Sequence, residues 1–186
     1  MLEPRIQQHF FEAADLQNQA ATLLARPVSQ AAEALWGCVT GGAKLMVAGC
    51  DVGAALAPVM GAAFAGRFER ARPPLPAMAL RVDALATLAQ QVTALGQPGD
   101  VFMALDTGGQ CESLLEAAIA AHDKDMTLIV LTGADAGPWR NVLLETDVHI
   151  AVPHERAARV AETQLLVLHS LCDAVDLQLM GEQESS

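Results

Sequence analysis

Five short apolar runs, none alternating with polar residues, constrain this chain more than any other feature. Lys44–Ala48 (KLMVA), Ala77–Leu80, Val101–Leu105, Thr127–Leu131 and Val148–Val152 have strand length and are bounded by turn residues. A strand that is apolar on both faces must be covered on both, which is the habit of a parallel sheet held between helices. The segments between the runs suit helices: Ala54–Gly66, Asp83–Leu95, Glu112–Asp123 and Trp139–Leu144, with a last long one from Glu155 to Met180. Strands alternating with helices predict βαβ units. The expected class is therefore α/β: a five-stranded parallel sheet flanked by helices on both faces, a flavodoxin-like or Rossmann-like three-layer sandwich.

Ahead of the first strand, Ile6, Phe10, Ala13, Leu16, Ala20 and Leu23 recur at helical period, and the pattern predicts a helix from Arg5 that ends before Pro27. A second helix, Ser29–Val39, is closed by Gly41–Gly42. Neighbouring residues on a helix lie about 100° apart, so Phe10 and Phe11 cannot share one core stripe, and one of them is expected to meet another subunit. The chain of 186 residues fits one domain over residues 1–180, with an N-terminal helical segment to about residue 42. Residues 181–186 (GEQESS) are expected to form a flexible acidic tail.

The formal net charge of −11 argues against direct nucleic-acid binding, which needs clustered Lys and Arg to displace counterions. Every apolar run stops short of the roughly 20 residues of a membrane span. The opening MLEPRIQQHF has no apolar core of a secretory signal, so a cytoplasmic protein is expected. Cys38, Cys50, Cys111 and Cys172 form no CxxC pair and are expected to be reduced thiols. No short-range ligand spacing supports a metal site built from Cys50, Asp51, Asp106 and Cys111, and neither metal nor cofactor is expected.

Open parallel sheets bind ligands outside the carboxyl ends of their strands. Two turns there are glycine-rich: Gly49-Cys50-Asp51-Val52-Gly53, and Asp106-Thr107-Gly108-Gly109-Gln110-Cys111. Such turns can offer backbone N–H groups and a positive helix end to an anion. Glycine also serves tight turns for backbone reasons alone, so both readings stay open.

The stretches RIQQHF, KLMVAG, GRFERARPPLPAMAL, ALGQPGDVFMALDTGG, KDMTLIVLTG, VPHERAARVAETQ and LCDAVD together resemble the SIS (sugar isomerase) domain family. Within it the chain is similar to the branch of phosphoheptose isomerases and DnaA initiator-associating proteins, and most similar to the latter through ARPPLPAMAL, KDMTLIVLTG and LCDAVD. The resemblance implies that the S-T-S-G-N-S phosphate loop of the isomerases corresponds to residues 106–111, where Thr107 alone keeps a hydroxyl, and that a first-turn serine falls on Gly53. It places the His and Glu of the metal and acid–base set on Val59 and Ala63 and a Gln on Ala161, leaving His169 and a family glutamate at Glu162. It also implies that a lid segment before GQPGD is about a dozen residues shorter here.

A carboxylate at Asp106 would oppose a phosphate about 4 Å away by roughly 4 kcal/mol at an effective dielectric of 20. The expected reading is thus a degenerate pocket of Cys50, Asp51, Gly53, Asp106, Thr107, Gly108, Gly109, Gln110, Cys111, Glu162 and His169, with no catalytic residue. The resemblance then implies a homotetramer that binds the replication initiator DnaA through Leu179 and Met180 and promotes its assembly at the origin. The alternatives are a phosphoheptose isomerase acting on sedoheptulose 7-phosphate for lipopolysaccharide heptose synthesis, and a sensor that binds a carbohydrate derivative.

Overall fold

The computed structural model describes residues 2–83 and 85–182. Its elements run α1 (Leu2–Thr40), β1 (Leu45–Cys50), α2 (Val52–Ala65), β2 (Ala77–Ala79), α3 (Leu88–Leu95), β3 (Val101–Asp106), α4 (Glu112–His122), β4 (Thr127–Thr132), β5 (Val148–Ala151) and α5 (Ala157–Met180), with a 3₁₀ turn over Gly137–Asn141. The five strands form one parallel sheet in the order β2-β1-β3-β4-β5. All five predicted strands are present, and the α/β class is as expected.

The reason for the unalternated apolar runs is visible in β3, which is buried at every position. Val101, Met103 and Leu105 face a core shared with α1, α2 and α5, while Phe102 and Ala104 face a second core shared with α3 and α4. Each core needs its own apolar set, so successive residues must all be apolar.

Three expectations about helices are corrected. The N-terminal region is one helix of 39 residues that passes through Pro27. Its buried stripe, Leu16, Ala20, Leu24, Ala31, Leu35 and Cys38, keeps helical phase across the proline. Proline deprives the carbonyl four residues earlier of its partner, but here that residue, Leu23, is exposed and water can serve instead. The helix predicted from Asp83 begins at Leu88, because Thr87 caps it: the Thr87 side chain accepts from the Gln90 N–H, and the Gln90 side chain accepts from the Thr87 N–H. The segment predicted over Trp139–Leu144 is only the 3₁₀ turn. Gly181 (φ +77) ends α5, and residues 183–186 of the predicted tail lie outside the described residues.

Among the described residues no helix is long and apolar enough to cross a membrane.

Candidate functional site

β1 and β3 are neighbours whose connections leave in opposite directions, β1 toward β2 at one edge and β3 toward β4 at the other. A crevice must open between their carboxyl ends, and this switch point is where such sheets hold ligands. The register pairs Cys50 with Asp106 as the last residues of the two strands. Both glycine-rich turns therefore meet at one place.

The loop after β3 is built around the Asp106 side chain, which is 2% exposed. Its Oδ1 accepts the Gly109 N–H at 2.8 Å; its Oδ2 accepts the Cys111 N–H at 2.9 Å and the Trp139 indole N–H at 2.8 Å. Gly109 turns at φ +70, where a Cβ would lie 2.5 Å from the Asp135 carbonyl oxygen, so only glycine fits. Asp106 lines the cleft, as expected of a pocket residue, but its oxygens are engaged by the loop and not presented bare to a ligand. The carboxylate occupies the loop itself, taking N–H donors that an anion would otherwise use. Thr107, the remaining hydroxyl, is buried as well.

The turn after β1 is different. Asp51 is exposed, sits at φ 50 and ψ −121, and makes no side-chain capping bond to the α2 N-terminus it precedes. That backbone geometry belongs to the first central position of a type II′ turn, which favours Gly, Asn or Asp. Gly53 is required for packing instead. A Cβ there would stand 2.2 Å from the Leu105 carbonyl oxygen, so the glycine lets α2 lie close on β3.

Asp51 borders two adjoining clefts. One, of about 270 Å³, is lined by Cys50, Asp51, Asp106, Gly108, Gln110 and Cys111. The other, of about 670 Å³, is lined by Gly49, Asp51, Ala54, Ala55, Pro58, Leu80, Arg81 and Val82. Arg81 supplies a positive charge that sequence reasoning missed, since it lies in the shortened segment thought to have lost its enclosing role. Trp139 was missed too; it comes from the turn after β4 and is fully buried against Asp106.

The prediction of four reduced thiols is corrected at two of them. Cys50 and Cys111 are joined in a disulfide, with Cα atoms 6.4 Å apart, within the ordinary range for such a bond. The strand register and the wrapped loop bring together residues 61 positions apart. Cys38 and Cys172 are free and buried.

Three other expected site residues lie elsewhere. Glu162 does not line the strand-end clefts; it pairs with Arg159 one helical turn away, and Arg159 also meets His9 Nδ1 at 2.8 Å. His169 sets its ring against Phe68 with centroids 5.4 Å apart and does not line the cleft beside Asp106. Leu179 packs against the core and is not a free anchor, whereas Met180 is exposed. The metal that the resemblance implies for the heptose branch does not fit these positions. Val59, Ala63 and Ala161 offer no donor, His169 stands alone, and no cluster of three or more His, Cys, Asp or Glu that could hold a metal occurs among the described residues.

The model of the SIS domain matches residues 8–133. Phosphoheptose isomerase of Methylibium petroleiphilum is 50% identical over 196 residues, covering 99% of this chain and 98% of the relative. The enzyme of the same name from Azoarcus is 37% identical over 97% of this chain and 98% of its own length. Among solved structures, the phosphoheptose isomerase of Neisseria gonorrhoeae superposes with a TM-score of 0.87 at 34% identity, covering 95% of this chain and 99% of the other. That of Francisella tularensis gives 0.89 at 31%, covering 95% and 98%. These relatives overturn the reading of a non-catalytic, DnaA-binding protein: full-length similarity leads to proteins named as isomerases, and nothing in the site favours an initiator partner. The chain belongs to the SIS domain family.

Proposed function

We propose that this protein is a cytoplasmic phosphoheptose isomerase, interconverting sedoheptulose 7-phosphate and its aldose isomer to supply heptose for lipopolysaccharide. The observation that carries the reading is the 50% identity, spread over 99% of the chain, to a relative of that name. Aldose–ketose interconversion removes a proton from the carbon beside a carbonyl and returns one to the neighbouring carbon, so one exposed carboxylate at the ligand can serve both steps. Asp51 is the group so placed, standing between the two clefts. The α2 N-terminus, with no side chain capping it, offers N–H donors to the oxygen on which charge develops. Arg81 faces the larger cleft and suits the substrate phosphate. The test is conversion of sedoheptulose 7-phosphate by the purified protein and by D51N; the variant is expected to lose at least about 100-fold in kcat, the usual worth of a positioned base.

Self-association through α1 belongs to the same reading, as a homotetramer. Leu2, Ile6 and Phe10 recur every four residues and are 76%, 55% and 71% exposed, and the α1 stripe becomes buried only from Leu16. A projecting apolar stripe of this kind suits a helix of another copy.

One observation favours a second reading. Asp106 already fills the loop that would hold a phosphate, which suits a pocket that binds an uncharged or cationic carbohydrate derivative without turnover. Thermal-shift measurements separate the two, because a ligand selective for the folded state raises the melting temperature. Stabilisation by neutral heptoses or amino sugars, with none by sedoheptulose 7-phosphate, would select the sensor.

A further inference from the structure

We infer that Cys50 and Cys111 form a reversible dithiol–disulfide couple that operates one wall of the strand-end cleft. The two residues come from different elements, Cys50 from the end of β1 and Cys111 from the residue that caps α4, and both line the cleft that holds Asp51. Both are half-buried, so a small disulfide can reach them. The Ser113 hydroxyl lies 3.6 Å from the Cys50 sulfur and 3.3 Å from the Cys111 sulfur, a polar neighbour common to both. The other two cysteines lack this access. Burial pushes the Cys38 thiol up to about 11 and the Cys172 thiol up to about 12, leaving little thiolate to react.

The chemistry balances with a low-molecular-weight disulfide such as glutathione disulfide as oxidant. The thiolate of one cysteine attacks a sulfur of the external disulfide, forming a mixed disulfide and expelling one external thiolate. The second cysteine's thiolate then attacks the protein sulfur, closing Cys50–Cys111 and expelling the other. Two electrons pass from the cysteine pair to the external disulfide, and the two cysteine protons end on the released thiols.

The mechanical consequence follows from the covalent tie: the oxidised form links the β1 tip to the α4 N-terminus across the cleft wall, and the reduced form releases that link. In a cytoplasm poised by glutathione such a bond is transient, the mark of a redox-responsive site and not of a structural staple. The effect on sugar binding rests on the isomerase reading of the cleft, but the couple itself does not.

The test uses the full-length protein, reduced with dithiothreitol, freed of reductant and equilibrated with glutathione and glutathione disulfide in varied ratio, then alkylated and digested for mass spectrometry. Cys50 and Cys111 are expected to lose alkylation together and to appear as one cross-linked peptide pair, while Cys38 and Cys172 remain unoxidised. C50S and C111S should each remove the cross-link and leave the remaining thiol as a mixed disulfide. Continued alkylation of both cysteines in glutathione disulfide alone, or oxidation that joins separate chains, would overturn the couple. Hydrogen exchange over residues 107–112 reads the wall without any sugar. It is expected to slow about tenfold on oxidation of the wild type and not at all in C111S; equal rates in both redox states contradict the gating. Because neither readout needs sedoheptulose 7-phosphate, failure of the isomerase assignment leaves both results interpretable.

Discussion

Two aspartates stand at the ends of neighbouring strands and have opposite fates. Asp106 is buried, with three N–H donors on its carboxylate. Asp51, just beyond the register partner of Asp106, is exposed, holds a left-handed backbone and caps nothing. The first organises a loop, and the second is left to solvent at the mouth of the clefts. A carboxylate in a binding cleft is thus not one kind of object. Whether it is structural or chemical depends on how many of its lone pairs the chain itself satisfies.

The sharpest way to break this contrast is D106A. It strands the Cys111 N–H and the Trp139 indole N–H, each at a cost of about 1–3 kcal/mol, while the Gly109 N–H keeps its longer bond to the Asp106 carbonyl. A loss of about 2–5 kcal/mol is expected, with a Tm lower by roughly 10 °C for a chain of this size. A D106A protein that melts like the wild type would show that the loop does not depend on its carboxylate. Next is G53A, whose new Cβ has no room beside the Leu105 carbonyl. Overpacking of this kind costs about 1–3 kcal/mol, measurable by urea denaturation. D51G should act in the opposite sense: it relieves a positive φ and is expected to stabilise the protein by up to about 1 kcal/mol, while removing the proposed base. A destabilised D51G would move Asp51 to the structural side of the comparison.

The smallest effect concerns His149, away from both turns. Its Nε2 lies 2.9 Å from Thr132 Oγ1, and that hydroxyl donates to the Gly133 carbonyl, so the imidazole is the donor between them. Burial, and secondarily the Arg140 charge, hold His149 below the ordinary histidine range. The unfolded chain therefore takes up the proton first. The contribution of His149 to stability is complete above about pH 6.5 and is lost as pH falls through the lowered folded value. Urea midpoints of wild type and H149Q should differ in their pH dependence below that point, and parallel curves would remove the assignment.

Much of the fold was legible because the apolar runs carry their own explanation: β1, β3 and β4 are interior strands covered on both faces, and the half-buried β2 and β5 close the two edges of the same parallel sheet. Pro27 misled because its local cost is real, although the stripe Leu16–Ala20–Leu24–Ala31–Leu35 already ran through it. The strand-end turns were legible as a place but not as chemistry. The role of Asp106 depends on Trp139, 33 residues later, and the disulfide joins cysteines 61 residues apart, distances at which local spacing carries no signal. Arg81 gave no signal because the segment holding it reads as a deletion. Glu162 and His169 illustrate the converse: matching a family position did not place them at the Asp106 loop, since Arg159 and Phe68 hold them elsewhere.

Turnover of sedoheptulose 7-phosphate, followed by nuclear magnetic resonance with wild type and D51G side by side, addresses the central claim most directly. Conversion by the wild type, and its loss in a D51G protein that melts no lower, is the predicted result. Absence of turnover by well-folded wild type, or equal turnover by the two, contradicts the account.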